Sequence, residues 1–305
     1  MDSNAPRFLA VCLNPTFQRT ISLPNLDKGE VNRARLARLD ASGKGINVSR
    51  VLQQLGAPVR HLTHLGPGKD EFLRLCSKDG LQISWIDSVS PIRTCITLLD
   101  ESEDTTTEVI EPTEPVDEGT VAAVVDAYNR ELENTDWVIL SGSKAPGYPP
   151  NLFAEFCRSA RDAGKPVVAD YRGEELLASL MFEPALVKIN LVEFAATFLP
   201  NLEVSEADDS SALQAVKEKL AELSVRGSDF VLTRGARAIL CARNGLIETV
   251  DPPDIVPVNT IGSGDSVAAG MAFALSNGER LREAVIEGAR CGALNAVLLK
   301  PGSLE

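Results

Sequence analysis

Short apolar runs rich in β-branched residues recur along the chain at residues 8–13, 59–65, 137–140, 167–169, 186–189 and 230–233, and helix-period segments separate several of them. Runs this short and this continuously apolar suit strands buried on both faces, and such strands lie parallel only when helical crossovers cover the sheet. The alternation therefore predicts a parallel sheet with helices on both sides. Residues 46–55 carry apolar Ile46, Val48, Val51, Leu52 and Leu55 and stop at Gly56. Residues 151–163 follow Pro149-Pro150 and stop at Gly164, and residues 211–223 place Leu213, Val216, Leu220 and Leu223 on one stripe.

The 305 residues suffice for one large α/β domain spanning 1–305. Two stretches break the rhythm, residues 16–39 and 92–111. The second, with its run ITLLDESEDTTTEVIE, reads as two alternating strands around an acidic turn. Together they predict a small separate sheet, placed as a lid beside the ends of the main one.

Thirty basic against 43 acidic residues give a formal charge of −13, which opposes nucleic acid and anionic membranes as partners. An anionic substrate then needs a local basic pocket. No apolar stretch approaches bilayer-spanning length and the N-terminus lacks signal-peptide character, so the chain reads as soluble and cytoplasmic. Six scattered cysteines lack C-x-x-C spacing, and His61 and His64 have no further ligand at metal-binding spacing.

Chemistry concentrates in four places. Late in the chain, Asn259-Thr260-Ile261-Gly262-Ser263-Gly264-Asp265-Ser266 opens a helical pattern. Glycines there let N–H groups converge at a helix start, which favours an anion. Asp265 at the lip could take a proton from an attacking hydroxyl while the amides of Gly262, Ser263 and Gly264 hold a phosphoryl group; the plain alternative is a helix cap. Near the front, Asp40-Ala41-Ser42-Gly43-Lys44-Gly45-Ile46-Asn47 is a glycine-rich turn into a helix, with Lys44 either a solvated cation or a substrate ligand. The strand WVIL runs into Ser141-Gly142-Ser143, where open α/β sheets bind ligands. Lys188-Ile189-Asn190-Leu191-Val192-Glu193 offers oxygens suited to hydrated Mg²⁺, although helix capping explains Asn190 and Glu193 equally well.

Over essentially its whole length the chain resembles the ribokinase-like, or phosphofructokinase-B type, carbohydrate kinases. The branch holding 1-phosphofructokinase and tagatose-6-phosphate kinase is nearest in motif order. VCLNPTFQRT, DASGKGINVSRVLQQLG, LSGSKAPG, KINLVEF, VLTRGA and VNTIGSGDSVAAG carry the resemblance. It implies a three-layer α/β/α core with a β-sheet lid that often pairs two subunits, hence a homodimer. It also implies ATP and Mg²⁺ and a sugar or sugar phosphate as acceptor. Asp265 would be the catalytic base above the anion hole of Gly262, Ser263 and Gly264. Asn14, Gln18, Gly43, Lys44, Asn47 and Ser143 would face the sugar, and Arg93 would grip its existing phosphate. Lys188, Asn190, Glu193, Thr233, Gly235 and Asn295 would serve the nucleotide, with Asn190 and Glu193 organising Mg²⁺ through water.

Several positions depart from the branch. Gln18 stands where an aspartate is usual, and an amide offers one acceptor oxygen and a donor where a carboxylate only accepts. Ser42 replaces a glycine, Lys144 an apolar residue, and Tyr171-Arg172 a small polar pair. Lys144 and Arg172 either favour a more anionic substrate or are solvent-facing loop charges. The activity implied is phosphoryl transfer from ATP to a phosphorylated hexose of the fructose 1-phosphate or tagatose 6-phosphate type. An unphosphorylated sugar, a nucleoside, or a catalytically silent sugar-binding protein of the same fold remain open.

Overall fold

The structure is a computed structural model that describes residues 5–204 and 212–305. Its frame is a nine-stranded sheet. The parallel strands β1 (Phe8–Val11), β4 (Val59–Leu65), β5 (Gln82–Asp87), β8 (Trp137–Ser141), β9 (Val167–Asp170), β10 (Leu186–Asn190) and β11 (Asp229–Arg234) are extended by an antiparallel hairpin, β12 (Arg237–Arg243) and β13 (Leu246–Val250). In space the order is β13-β12-β11-β10-β9-β8-β1-β4-β5. The chain runs outward from β1 through β4 to β5 and returns to β8 on the other side of β1, so the topological switch point falls between β1 and β8.

Each predicted run of the core is a parallel strand, for the reason its composition gives. Phe8 and Ala10 point to one face and Leu9 and Val11 to the other, and all four are buried. On the first face lie α1 (Lys44–Gln54), α8 (Ser263–Ser276) and α9 (Leu281–Ala296), packed with Ile139, Val168 and Val231. The opposite face is covered by α3 (Glu118–Leu132), α4 (Leu152–Asp162), α6 (Leu191–Phe198) and α7 (Ala212–Ser224), with Leu140, Ala169, Ile189 and Leu232. The short α5 (Glu174–Ser179) links β9 to β10. The helix expected from residue 211 starts one residue outside the described segment; its described part is α7.

The two irregular stretches form a second sheet in the order β3-β2-β6-β7, from β2 (Thr16–Leu23), β3 (Leu36–Ser42), β6 (Arg93–Asp100) and β7 (Thr105–Ile110). Helix α2 (Lys69–Lys78) packs beneath it, with Phe72 edge-on to Phe17 at 5.7 Å. Two details differ from the reading of the sequence. Strand β3 continues to Ser42, so Asp40, Ala41 and Ser42 are lid strand rather than glycine-rich turn. The edge strands β5 and β13 and the neighbouring β12 lie outside the predicted runs: outward positions such as Gln82 and Glu248 break β5 and β13, and the short apolar run of β12 is flanked by Arg237 and Arg243.

His61 and His64 sit in the core on β4. Burial pushes them down to about 3 and about 4, and they bond Ser49 and Tyr148 at 3.0 and 2.8 Å. All six cysteines are buried free thiols.

Candidate active site

Parallel strands end in unison, and their carboxyl edge collects polar residues. Ser141 and Asp170 are register partners at the ends of β8 and β9, as are Asn190 and Thr233 at the ends of β10 and β11. At the switch point the chain leaves β1 as Cys12-Leu13-Asn14, and Asn14 Nδ2 donates to Ser143 Oγ at 3.1 Å. The ends of β1 and β8 are thereby tied across the crevice where ligands bind in such sheets.

Helix α8 points its N-terminus at this edge. Its N-cap, Gly262, lies in the left-handed region at φ 82°, and the reason is spatial as well as conformational. A Cβ there would stand 2.6 Å from the Gly302 nitrogen, and one on Gly302 would stand 2.5 Å from Asn47 Cα. Residues 301–302 are wedged between the helix start and α1. Ser263 N–H is turned onto Thr260 C=O at 3.1 Å, so among the described residues the first-turn amides of Gly264 and Asp265 carry no protein acceptor. The Gly262 amide is likewise unpaired among the described residues, so of the three expected from 262–264 only Ser263 is engaged, and Asp265 adds a further donor at this anion-attracting turn.

Asp265, in that first turn, is 6% exposed. Its Oδ2 accepts from Asn47 Nδ2 at 2.8 Å. Burial, and then the charge of Asp170, raise its carboxyl to about 6, against the opposing pull of Lys44, Lys188 and Asn47. A carboxylate with this affinity for a proton is ionised near neutral pH yet basic enough to take one, as a general base requires.

Lys44 opens α1 and is not a solvated loop cation. Its Nζ lies 3.7 Å from Asp170 Oδ1 and 3.7 Å from Glu193 Oε1, and the Asp170 charge above all holds its ammonium well above the usual lysine range. Lys188, buried on β10, reaches Asp170 Oδ1 at 3.3 Å, while Ser141 donates to Oδ2 at 3.0 Å. Burial pushes the Asp170 carboxyl up, but Lys188, Lys44 and these hydrogen bonds outweigh it and the net displacement is downward. Three carboxylates and two lysines thus converge at one end of the sheet. Asp170 is the member that the reading of the sequence passed over, although an acidic residue closing the apolar run VVAD is the available signal.

Asn190 and Glu193 form a complete capping box at the start of α6, so the structural role expected for them is realised. Glu193 still turns Oε1 toward Lys44. Thr233 is half-buried and Gly235 exposed at the end of β11. Asn295, on α9, is fully buried, and its amide is used inside the protein, donating to Ile261 C=O and Ser263 Oγ and accepting from Ser303 N–H. It shapes the loop that carries Gly262.

On the lid side, Gln18 is buried and donates Nε2 to Thr97 Oγ1 at 2.7 Å, which uses one of its two amide hydrogens and leaves the carbonyl oxygen and the second N–H. Arg93 opens β6 with its Nε buried and without a protein acceptor. Gly43 precedes α1 at φ 113°, a backbone that side chains rarely adopt. Ser42 Oγ donates to Asn47 Oδ1 at 3.0 Å, and Arg50 reaches the same oxygen at 3.2 Å. The two cations added by the departures separate clearly. Lys144 forms an ion pair with Glu175 and lies 5.1 Å over the Phe153 ring, so it belongs to the packing of α4 and α5. Arg172 is exposed two residues beyond Asp170.

A buried carboxylate beside an open helix N-terminus, facing paired lysines at the switch point of a parallel sheet with a second, smaller β-sheet, is the arrangement of a ribokinase-like ATP-dependent sugar kinase. The pfkB family carbohydrate kinase model matches residues 14–302, and the chain belongs to that family. Solved structures of the same fold include Escherichia coli phosphofructokinase-2 in complex with fructose-6-phosphate, 20% identical with a TM-score of 0.80 over 96% of this chain and 93% of that one. A Thermotoga maritima protein described as a possible 1-phosphofructokinase is 22% identical with a TM-score of 0.84, again over 96% and 93% of the two chains. Among the described residues no helix is long and apolar enough to cross a membrane.

Proposed function

We propose that this kinase transfers the γ-phosphoryl group of ATP to a hydroxyl of a phosphorylated hexose of the fructose or tagatose phosphate type, with Asp265 as general base. The observation that carries the reading is the buried carboxylate of Asp265, raised to about 6, in the same helical turn as unpaired amides. A substrate hydroxyl at Asp265 Oδ1 would lose its proton there as its oxygen bonds to phosphorus. The amides of Gly264 and Asp265, with Lys44 and Lys188, would meet the charge on the equatorial phosphoryl oxygens. One observation favours a phosphorylated acceptor. Arg93 Nε is buried without a partner, a cost that an incoming phosphate would remove. Gln18, tethered to Thr97 through one amide hydrogen, would offer its carbonyl oxygen to a sugar hydroxyl, phosphorylated or not.

Among the described residues no group of three or more His, Cys, Asp or Glu could enclose a metal. That suits Mg²⁺, which takes one or two carboxylates together with water and substrate phosphates. Glu193 and Asn190 would organise it through water, and the ion would screen charge between the nucleotide phosphates. Thr233 and Gly235 would line the nucleotide's side of the cleft. One kinase domain over 1–305 with a lid at about 16–39 and 92–111, a homodimer through that lid, and a cytoplasmic location complete the reading.

A coupled ADP-release assay over hexose phosphates, free sugars and nucleosides tests it. Turnover should require Mg²⁺ and a sugar phosphate and should fall by several orders of magnitude in Asp265→Asn. Undiminished turnover in that variant would refute the assignment of the base. Turnover with free sugars alone would favour an unphosphorylated acceptor, and binding without turnover a silent sugar-binding protein.

A further inference from the structure

The side chain that touches Asp265 is an amide, and an amide can face either way. Rotating Asn47 by half a turn about its last side-chain bond would replace the NH₂ at Asp265 Oδ2 with a carbonyl oxygen, exchanging a hydrogen bond for a repulsion. Arg50 decides between these states, because a serine hydroxyl can either donate or accept; Ser42 adds a donor to the oxygen that Arg50 selects. Arg50 Nη1 lies 3.2 Å from Asn47 Oδ1, and a guanidinium only donates, so it accepts no contact with the NH₂. Ser42 Oγ, at 3.0 Å, supplies the second donor to the same oxygen. Arg50 is itself immobilised, with Nε on Asp79 Oδ2 at 2.8 Å, Nη1 also on Pro301 C=O at 2.7 Å, and Nη2 on Ala41 C=O at 2.5 Å. Ser42 is 2% exposed and is the final residue of lid strand β3, paired with Thr16 on β2.

We propose that Ser42, acting together with Arg50 through the side chain of Asn47, is a positioning residue for Asp265: it keeps the amide NH₂ on Oδ2 and so leaves Oδ1 as the oxygen that receives the substrate proton. The hydroxyl arrives on a lid strand, so the seating of the lid on α1 also decides whether the base is held. The inference rests on Asp265 being the base.

A donor to an ionised carboxylate favours the ionised form, so loosening Asn47 should make Asp265 harder to deprotonate. The charges that face Asp265 are Asp170 on β9, Lys44 on α1 and Lys188 on β10, with the Cys12 thiol beyond β1. Ser42 hydrogen-bonds none of them. Substituting it therefore changes the hydrogen bond and leaves the charge set intact.

The test is the pH dependence of kcat/KM for Ser42→Ala with Mg-ATP and the best acceptor from the substrate panel. The acid limb should move to higher pH by on the order of half to one unit. The loss should be about three- to ten-fold on the acid side and nearly absent above about pH 8, where the carboxylate is ionised in both proteins. Arg50→Lys should displace the limb in the same direction. If that variant does not fold, Ser42→Ala, which removes one buried hydroxyl, decides alone. A Ser42→Ala profile that superimposes on the parent, or one lowered equally at every pH, would overturn the proposal. An active Asp265→Asn enzyme would instead overturn the underlying assignment of the base, so the two failures are distinguishable.

Discussion

Replacing Asp265 by asparagine should stabilise the fold while it stops turnover. The carboxyl is raised from 3.8 to about 6, mainly by burial and next by Asp170. A rise of about two units corresponds to about 3 kcal/mol, at about 1.4 kcal/mol per unit, that opposes ionisation in the folded chain. Well below pH 3.8 the group is protonated in folded and unfolded chains alike and costs nothing. As pH rises the unfolded chain ionises first, so the parent loses stability progressively up to about pH 6 and remains that much poorer above it. The amide never ionises and escapes this loss. The expected advantage of Asp265→Asn is therefore about 1–3 kcal/mol at about pH 8, shrinking toward zero near pH 4. At about 2 °C per kcal/mol in a chain of this size, that is a Tm higher by several degrees. Thermal melts of both proteins across that pH range, run without ligand, measure it. A variant less stable than the parent at about pH 8, or an advantage that does not change with pH, would refute the claim that this carboxylate is held ionised against its surroundings.

Lys144→Ala should lower Tm, because it strips the half-buried Glu175 of its ion-pair partner, while KM for the sugar stays within about two-fold; a large rise in KM would return Lys144 to the substrate site. Arg93→Ala should raise KM for a phosphorylated acceptor at least about ten-fold, given that charge-assisted hydrogen bonds contribute about 1.5–3 kcal/mol, and should leave KM for ATP nearly unchanged; equal effects on both would place Arg93 elsewhere. Gly302→Ala should lose most activity and stability together, since φ is +63° and the new methyl would meet Asn47 Cα at 2.5 Å, and an unimpaired variant would show that the wedge can yield.

The fold was legible because its core strands are buried on both faces. Runs such as FLAV and VVAD admit few other readings, whereas the edge strands β5 and β13 are half polar and look like loop. Within the site, Gly262 to Asp265 and Lys44 to Asn47 are contiguous in sequence and could be read as turns opening helices. Asp170 could not be ranked above other carboxylates, since its importance comes from Lys44 and Lys188 arriving from β10 and α1. The roles of Lys144 and Asn295 were equally hidden. Both are polar residues in motif-like surroundings, and only their partners, Glu175 in one case and the 261–263 loop in the other, show that they serve the scaffold.

The wedge at residues 301–302 also bears on how the enzyme comes into being. Arg50 and Pro301 are bonded across 251 positions of chain, and that closure completes the setting of Asn47 against Asp265. Contacts so distant are entropically slow to make, and they form after local helices and neighbouring strands have condensed. A chain that has formed its local helices and neighbouring strands can thus hold most of its secondary structure and still lack the contacts that set Asp265.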